Sequence, residues 1–222
     1  MWHICVLIMV LAGESLTDLP LIMVPAKQPA DRLAVFYSGD GGWAGLDKAV
    51  SAQLAAAGVT VIGVNSRGYF WQKRSPEESA RDLGRILQFY LHDRPTQEQV
   101  ILVGYSTGAE VLPFMANRLP EALRARIASI ALIAPGRDAT FEIHLTDWIP
   151  GTHTAGLPLT PEVERLGLPV LCLWGEGDRS ALCPELPAVH ATTVLIGSGH
   201  HLGGEYQEIA AHILSFAAKR SR

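Results

Sequence analysis

A chain of 222 residues with 48% apolar and 18% charged residues has the composition of one folded domain and excludes a disordered chain. A formal net charge of −4 gives no sign of a nucleic-acid footprint. No stretch of about 18 consecutive apolar residues exists, so no membrane-spanning helix is expected.

The first dozen residues, MWHICVLIMVLA, read in one of two ways. They form either the apolar part of a secretory signal-type segment, with Val10-Leu11-Ala12 as a small-residue cleavage site, or a buried first strand. No Lys or Arg precedes the run, so the charge cue of a signal is missing. Residues 1–15 are set apart on this basis from a single domain over 16–222.

From there short β-rich runs alternate with helical patterns. LAVFYS (33–38) reads as a strand, LDKAVSAQLAAAG (46–58) as a helix ended by Gly58, and VTVIGV (59–64) as a strand. SPEESARDLGRILQFYLHD has Ser75 as N-cap, Pro76 at the first helical position and Glu78 to complete a capping box. QVILVG (99–104) is almost wholly apolar, as in a strand covered on both faces. STGAEVLPFMANRL (106–119) reads as a helix with Pro113 a kink point. IASIALIA (127–134), PVLCLWG (169–175) and TTVLIG (192–197) are strands, and EYQEIAAHILSFAAK (205–219) is a closing helix. This rhythm predicts an α/β fold with a mostly parallel sheet and helices on both faces. Residues 136–168 break it, with Gly, Pro, Thr, His and little periodicity, and read as a cap over the site.

Cys5, Cys172 and Cys183 show no zinc-binding spacing. In an exported protein Cys172 and Cys183 pair; otherwise they are two buried thiols.

The stretch GYSTG (104–108) falls between a strand and a helix, the setting of a nucleophile elbow. Serine is a weak nucleophile unless a base lies within hydrogen-bond reach and a third group orients that base. Ser106 at a helix N-terminus also meets backbone N–H groups and the positive end of the helix dipole, which favour developing negative charge. The amide of Thr107 is the expected first oxyanion donor. In GEGDRS, Asp178 follows a strand end and is the expected acid, with Glu176 as the fallback. SGHHLGG supplies His200 and His201, of which only one can face Ser106; His200 is favoured and His201 is the alternative base. The order Ser, Asp, His is that of the α/β hydrolases. His144 and His153, in the cap stretch, are weaker candidates.

The loop SGDGGW (38–43) is expected to bring the second oxyanion donor, the amide of Asp40. The Asp40 carboxylate then either receives a cationic part of the substrate or caps its own turn. A phosphate-binding reading of this loop fails, because no GxxxxGK[ST] is present. The chemistry calls for no metal or organic cofactor.

The blocks SGDGGW, SRGYFWQKRSPEESARDL, GYSTGAEVLPFMANRLP, FEIHLTDW, CLWGEGDRSALC and GHHLGGEY together resemble the bacterial virulence protein family of VirJ and AcvB, from about Leu16 onward. The resemblance implies an α/β-hydrolase fold, export to the Gram-negative periplasm, and hydrolysis of aminoacyl-phosphatidylglycerol, notably the lysyl form, at the membrane surface. It also ties some members to type IV secretion, so secretion-system proteins are implied partners. By position it assigns Ser106 as nucleophile, the acid within GEGDRS, and the base to one of the two histidines. Thr107 stands where Phe is typical and Glu110 where Asp is usual, and SRGYFW also departs from the usual block. The implied substrate needs an acidic pocket for an ammonium group; Asp40, Glu110, Glu142 and Asp147 are the candidates. Trp43, Tyr69, Phe70, Trp71 and Trp148 are candidate packing partners for lipid or the aminoacyl chain.

Overall fold

The computed structural model describes residues 15–28, 32–94, 99–143 and 156–219. Its centre is a seven-stranded sheet. In chain order the strands are β1 (Leu21–Val24), β2 (Arg32–Tyr37), β3 (Val59–Val64), β4 (Val100–Tyr105), β5 (Ile127–Ile133), then, after a short β6 (Asp138–Ala139) and β7 (Leu157–Pro158), β8 (Val170–Glu176) and β9 (Thr192–Ser198). The spatial order is β1-β3-β2-β4-β5-β8-β9, and every neighbouring pair is parallel except β1 on β3.

The helices are α1 (Gly45–Ala56), α2 (Ser66–Tyr69), α3 (Pro76–Leu91), α4 (Thr107–Asn117), α5 (Glu121–Arg124), α6 (Thr160–Arg165) and α7 (Tyr206–Ala218). Side chains on a strand alternate between its faces, and β4 displays this directly. Val100 and Leu102 join a core with Leu83 and Leu87 of α3 and Leu112 and Met115 of α4. Ile101, Val103 and Tyr105 join the opposite core with Val50 and Leu54 of α1 and Ile209 and Ile213 of α7. Both faces being covered explains why β4 is buried at every position. Each fully buried Leu or Ile contributes roughly 1.5–3 kcal/mol.

The strands and long helices lie where the sequence patterns put them. Helix α3 starts as its capping box requires: the Glu78 N–H donates to Ser75 Oγ at 3.1 Å, and the Ser75 N–H donates to Glu78 Oε2 at 2.7 Å. Helix α4 continues through Pro113. Strand β1 has no counterpart in the sequence reading, because four residues between Pro20 and Pro25 carry too little periodicity to stand out. It is an edge strand whose register comes entirely from β3. The signal-or-strand segment 1–14 lies outside the described residues.

The stretch expected as a cap is anchored in the domain at both ends. β6 and β7 form an antiparallel ribbon, Phe141 and Ile143 are buried, and Leu159, Val163 and Leu166 join the α4 core. Residues 144–155, with His144, Asp147, Trp148 and His153, lie outside the described residues.

Cys172 in β8 and Cys183 are joined as a disulfide with Cα atoms 5.5 Å apart. Both are fully buried. The bridge closes the loop after β8 with a separation of 11 residues, and that loop holds Asp178. In the chain-entropy picture a loop of this length stabilises the fold by about 3 kcal/mol. The Cys172→Ser/Cys183→Ser double variant is therefore expected to lose about 3 kcal/mol in equilibrium urea unfolding. An unchanged midpoint would show that the bridge contributes nothing.

Candidate active site

The strand order places the site. β3 lies to one side of β2 and β4 to the other, so the direction of winding reverses between β2 and β4. Ligand sites in open α/β sheets lie beyond the carboxyl ends of the strands at such a reversal. Here those ends carry SGDGGW and GYSTG.

At the end of β4, Ser106 has φ 51° and ψ −121°, a conformation that costs a non-glycine residue roughly 1–3 kcal/mol. The Ser106 N–H donates to Ile133 O at 2.9 Å, and Ser106 O accepts from the N–H of Ala109 and of Glu110 at 2.8 and 3.0 Å. The turn is thus held from β5 and by the first residues of α4. Its glycines serve close approach. A Cβ on Gly104 would lie 2.5 Å from Gly108 O, and one on Gly108 would lie 2.2 Å from Tyr37 O. The elbow therefore packs directly on the end of β2, beside the SGDGGW loop.

Three side chains from three strand ends meet there. Ser106 Oγ lies 2.9 Å from His200 Nε2, and His200 Nδ1 lies 2.9 Å from Asp178 Oδ2. The other oxygen of Asp178 accepts from the Ser180 hydroxyl at 2.6 Å and the Ser180 N–H at 3.0 Å. Burial opposes ionisation of Asp178, but these bonds from Ser180 and the one from His200 outweigh it and hold its pKa below the ordinary carboxylate value. An ionised carboxylate only accepts, so His200 Nδ1 carries the proton and Nε2 is left to accept from the serine hydroxyl. Glu176, the fallback acid, has an exposed position beyond this group.

The two histidines separate cleanly. His200 takes the position between Ser106 and Asp178, while His201 Nδ1 pairs with the Tyr105 hydroxyl at 2.6 Å. The loop that carries them is held to the acid's strand, since the Gly199 N–H donates to Glu176 O at 2.8 Å.

Thr107 opens α4, so its amide has no carbonyl partner within the helix. Asp40 lies in the loop beside the elbow; a Cβ on its neighbour Gly39 would come within 3.4 Å of Ser106 Cβ. Glu110, one helical turn beyond Ser106, accepts from the Gly136 N–H at 3.1 Å. Burial pushes its pKa up to about 7; the Gly136 bond opposes this, and the nearby Asp40 and Asp138 charges add to it. Asp40 and Glu110 therefore share one electrostatic neighbourhood near Ser106.

The aromatic candidates among the described residues do not gather at this point. The Trp43 ring lies over Gly63 of β3 and edge-on to Phe36 at 5.5 Å, which is core packing. Tyr69 is 2% exposed; its hydroxyl donates to Asp82 Oδ2 at 2.7 Å and Arg74 stacks on its ring at 4.1 Å. It belongs to a buried network that Arg85 extends from Asp82 to Asp18. Phe70 is fully buried against Phe141, whereas Trp71 remains exposed. Glu142 sits between buried Phe141 and Ile143.

Two contributors escaped the sequence reading. Ser180, two residues after Asp178, has the spacing of a side-chain turn, a signal that was available. Tyr105 carried no signal, because its partner is 96 residues away.

The fold has close counterparts among solved structures. The esterase domain of a Rhodothermus marinus protein superposes with a TM-score of 0.62 at 14% identity, over 91% of this chain and 99% of that one. An alpha-beta serine hydrolase homologue from Coxiella burnetii gives 0.62 at 15%, over 88% and 89%. A Paleococcus ferrophilus monoacylglycerol lipase gives 0.62 at 16%, over 89% and 99%. These likenesses establish the α/β-hydrolase fold. No curated protein sequence matches the chain significantly. The family model of the bacterial virulence protein VirJ matches residues 31–221, nearly the whole sequence, and the chain accordingly belongs to the VirJ family.

Proposed function

We propose that the chain is a serine hydrolase of carboxylic esters whose substrate is the aminoacyl ester of a phospholipid headgroup, such as lysyl-phosphatidylglycerol, met at a membrane surface in the periplasm. The observation that carries the hydrolase reading is the unbroken chain Ser106 Oγ, His200, Asp178, with 2.9 Å at each link. His200 Nε2 takes the serine proton as Oγ attacks the ester carbonyl. The carbonyl oxygen becomes an oxyanion held by the Thr107 and Asp40 amides. The imidazolium, steadied by ionised Asp178, returns the proton to the departing glycerol oxygen. Water, deprotonated by the same nitrogen, then attacks the acyl-serine and releases the amino acid.

The narrower substrate rests on charge. Asp40 and Glu110 lie near Ser106, and a lysyl ester presents one ammonium group next to its reacting carbonyl and a second at the end of its side chain. Ionised carboxylates there favour a cation and disfavour fatty-acyl or anionic acyl groups. The buried disulfide fits an oxidising compartment. The family resemblance implies a lipid-linked aminoacyl ester as substrate, which supports the membrane setting.

The hydrolase reading is checked with a fluorophosphonate probe and a short p-nitrophenyl ester. Ser106→Ala is expected to abolish both labelling and turnover. Asp178→Asn is expected to lose roughly 10⁴-fold in turnover through the wrong imidazole tautomer, with Glu176→Gln within about twofold of the parent. Absence of a Ser106 adduct in the native protein would sink the enzyme. Turnover of the p-nitrophenyl ester without release of lysine from lysyl-phosphatidylglycerol vesicles would leave a general small-ester hydrolase.

The role of Glu110 has its own pH signature. Its carboxyl is neutral below about 7 and anionic above. The ratio of kcat/KM for a 6-aminohexanoyl ester to that for a heptanoyl ester is expected to rise about tenfold, as one added full charge attraction allows, between pH 6 and 8.5. The ammonium stays protonated over that range, so the rise reports the protein. Glu110→Gln is expected to flatten the ratio; an unchanged profile would remove Glu110 from substrate selection.

A further inference from the structure

The nucleophile and the base come from strands that are not neighbours. β4 and β9 are separated in the sheet by β5 and β8, so roughly three strand spacings of about 4.8 Å each lie between them. Productive geometry tolerates an error of only a fraction of an ångström. Gly197 near the end of β9 and four residues of the base loop, Gly199, Leu202, Gly203 and Gly204, have positive φ. Regular strand or helix geometry therefore does not fix where His200 stands.

One side chain spans the gap. Tyr105 precedes the nucleophile in sequence and is 7% exposed. Its ring centroid lies 5.6 Å from that of His200, and its hydroxyl meets His201 Nδ1 at 2.6 Å. A Cβ on Gly39 would sit 3.2 Å from the same ring, so the ring also stands against the loop that holds Asp40. Burial, with Asp47 and Asp40 adding to it, pushes the Tyr105 pKa up, which keeps the hydroxyl protonated and able to donate.

We infer that Tyr105 and His201 are a pair of positioning residues: their hydrogen bond latches the base loop onto the nucleophile elbow and sets the Ser106–His200 distance. This rests on the reading of Ser106 and His200 as nucleophile and base. It gives the second histidine of GHH a task that involves neither proton transfer to substrate nor metal binding. Tyr105 is joined covalently to Ser106 and His201 to His200, so the latch is one residue away from the reacting pair on each side. Removing either partner releases the same constraint, and removing both releases it only once.

The test is a double-mutant cycle on turnover of a p-nitrophenyl ester. Tyr105→Phe and His201→Ala are each expected to lower kcat about tenfold, a loss suited to a sub-ångström misplacement, with KM within about twofold. The double variant is expected to be no slower than either single one. His201→Asn, which keeps an acceptor oxygen near the Nδ1 position, is expected to recover most of the lost rate. A multiplicative loss near one hundredfold in the double variant, no loss in either single one, or a loss confined to KM would each overturn the latch. If Tyr105→Phe fails to fold, the contrast between His201→Asn and His201→Ala still decides, since equal rates in those two remove the hydrogen bond from the account. Ser106→Ala run alongside tests the underlying reading separately: turnover within about tenfold of the parent there overturns the triad, since loss of a triad serine costs far more, whereas a collapse of turnover with a multiplicative cycle overturns the latch alone.

Discussion

The imidazole of His200 stands between a hydroxyl and a carboxylate, 2.9 Å from each. The arrangement at the carboxyl end of the sheet follows from the need to hold that one ring. The hydroxyl comes from β4, the carboxylate from the loop after β8 and the ring from the loop after β9. Each of these strand ends is tied down locally. The elbow is tied by Ile133 O and the start of α4, the acid by Ser180, and the base loop by Glu176 O and Tyr105.

These ties have a cost that the rest of the fold offsets. Ser106 occupies a backbone conformation that any non-glycine residue avoids. Asp178 ionises against its own burial, through bonds from Ser180 and His200. Glu110 is the opposite case, since its burial is only partly compensated by one N–H and its pKa rises to about 7. Its folded-state pKa lies above the unfolded one, so its contribution favours the fold at acid pH. That contribution declines as pH rises through the range from the unfolded pKa to about 7. A group kept under that penalty beside Ser106 is compatible with the substrate-selecting role proposed for it. The two-sided core on β4 and the buried disulfide at the acid loop supply stability that tolerates it.

The long elements were legible because their signals are local. The capping box of α3, the apolar run of β4 and the strand–turn–helix frame of GYSTG each need only a few adjacent residues. Strand β1 was not legible, since its pairing is decided by Val61–Val64 of β3, far along the chain. Tyr69 and Trp43 read as candidate packing partners for lipid or the aminoacyl chain, yet long-range partners claimed both: Asp82 and Arg74 hold Tyr69, and the bare backbone at Gly63 receives Trp43. The residue type could not reveal this, because an aromatic ring suits a core and a substrate rim equally well.

By itself the sequence determined the α/β alternation, the order Ser, Asp, His of the candidate site residues, and the family to which the chain belongs, because each is written in local pattern or in order along the chain. Only the tertiary structure decided between His200 and His201 and between Asp178 and Glu176, joined Cys172 to Cys183, and brought Tyr105 to His201. Those choices depend on side-chain direction and on distances across four strands. Adjacent residues differ in direction by the turn of a single loop, and no local spacing encodes which of them will face the serine.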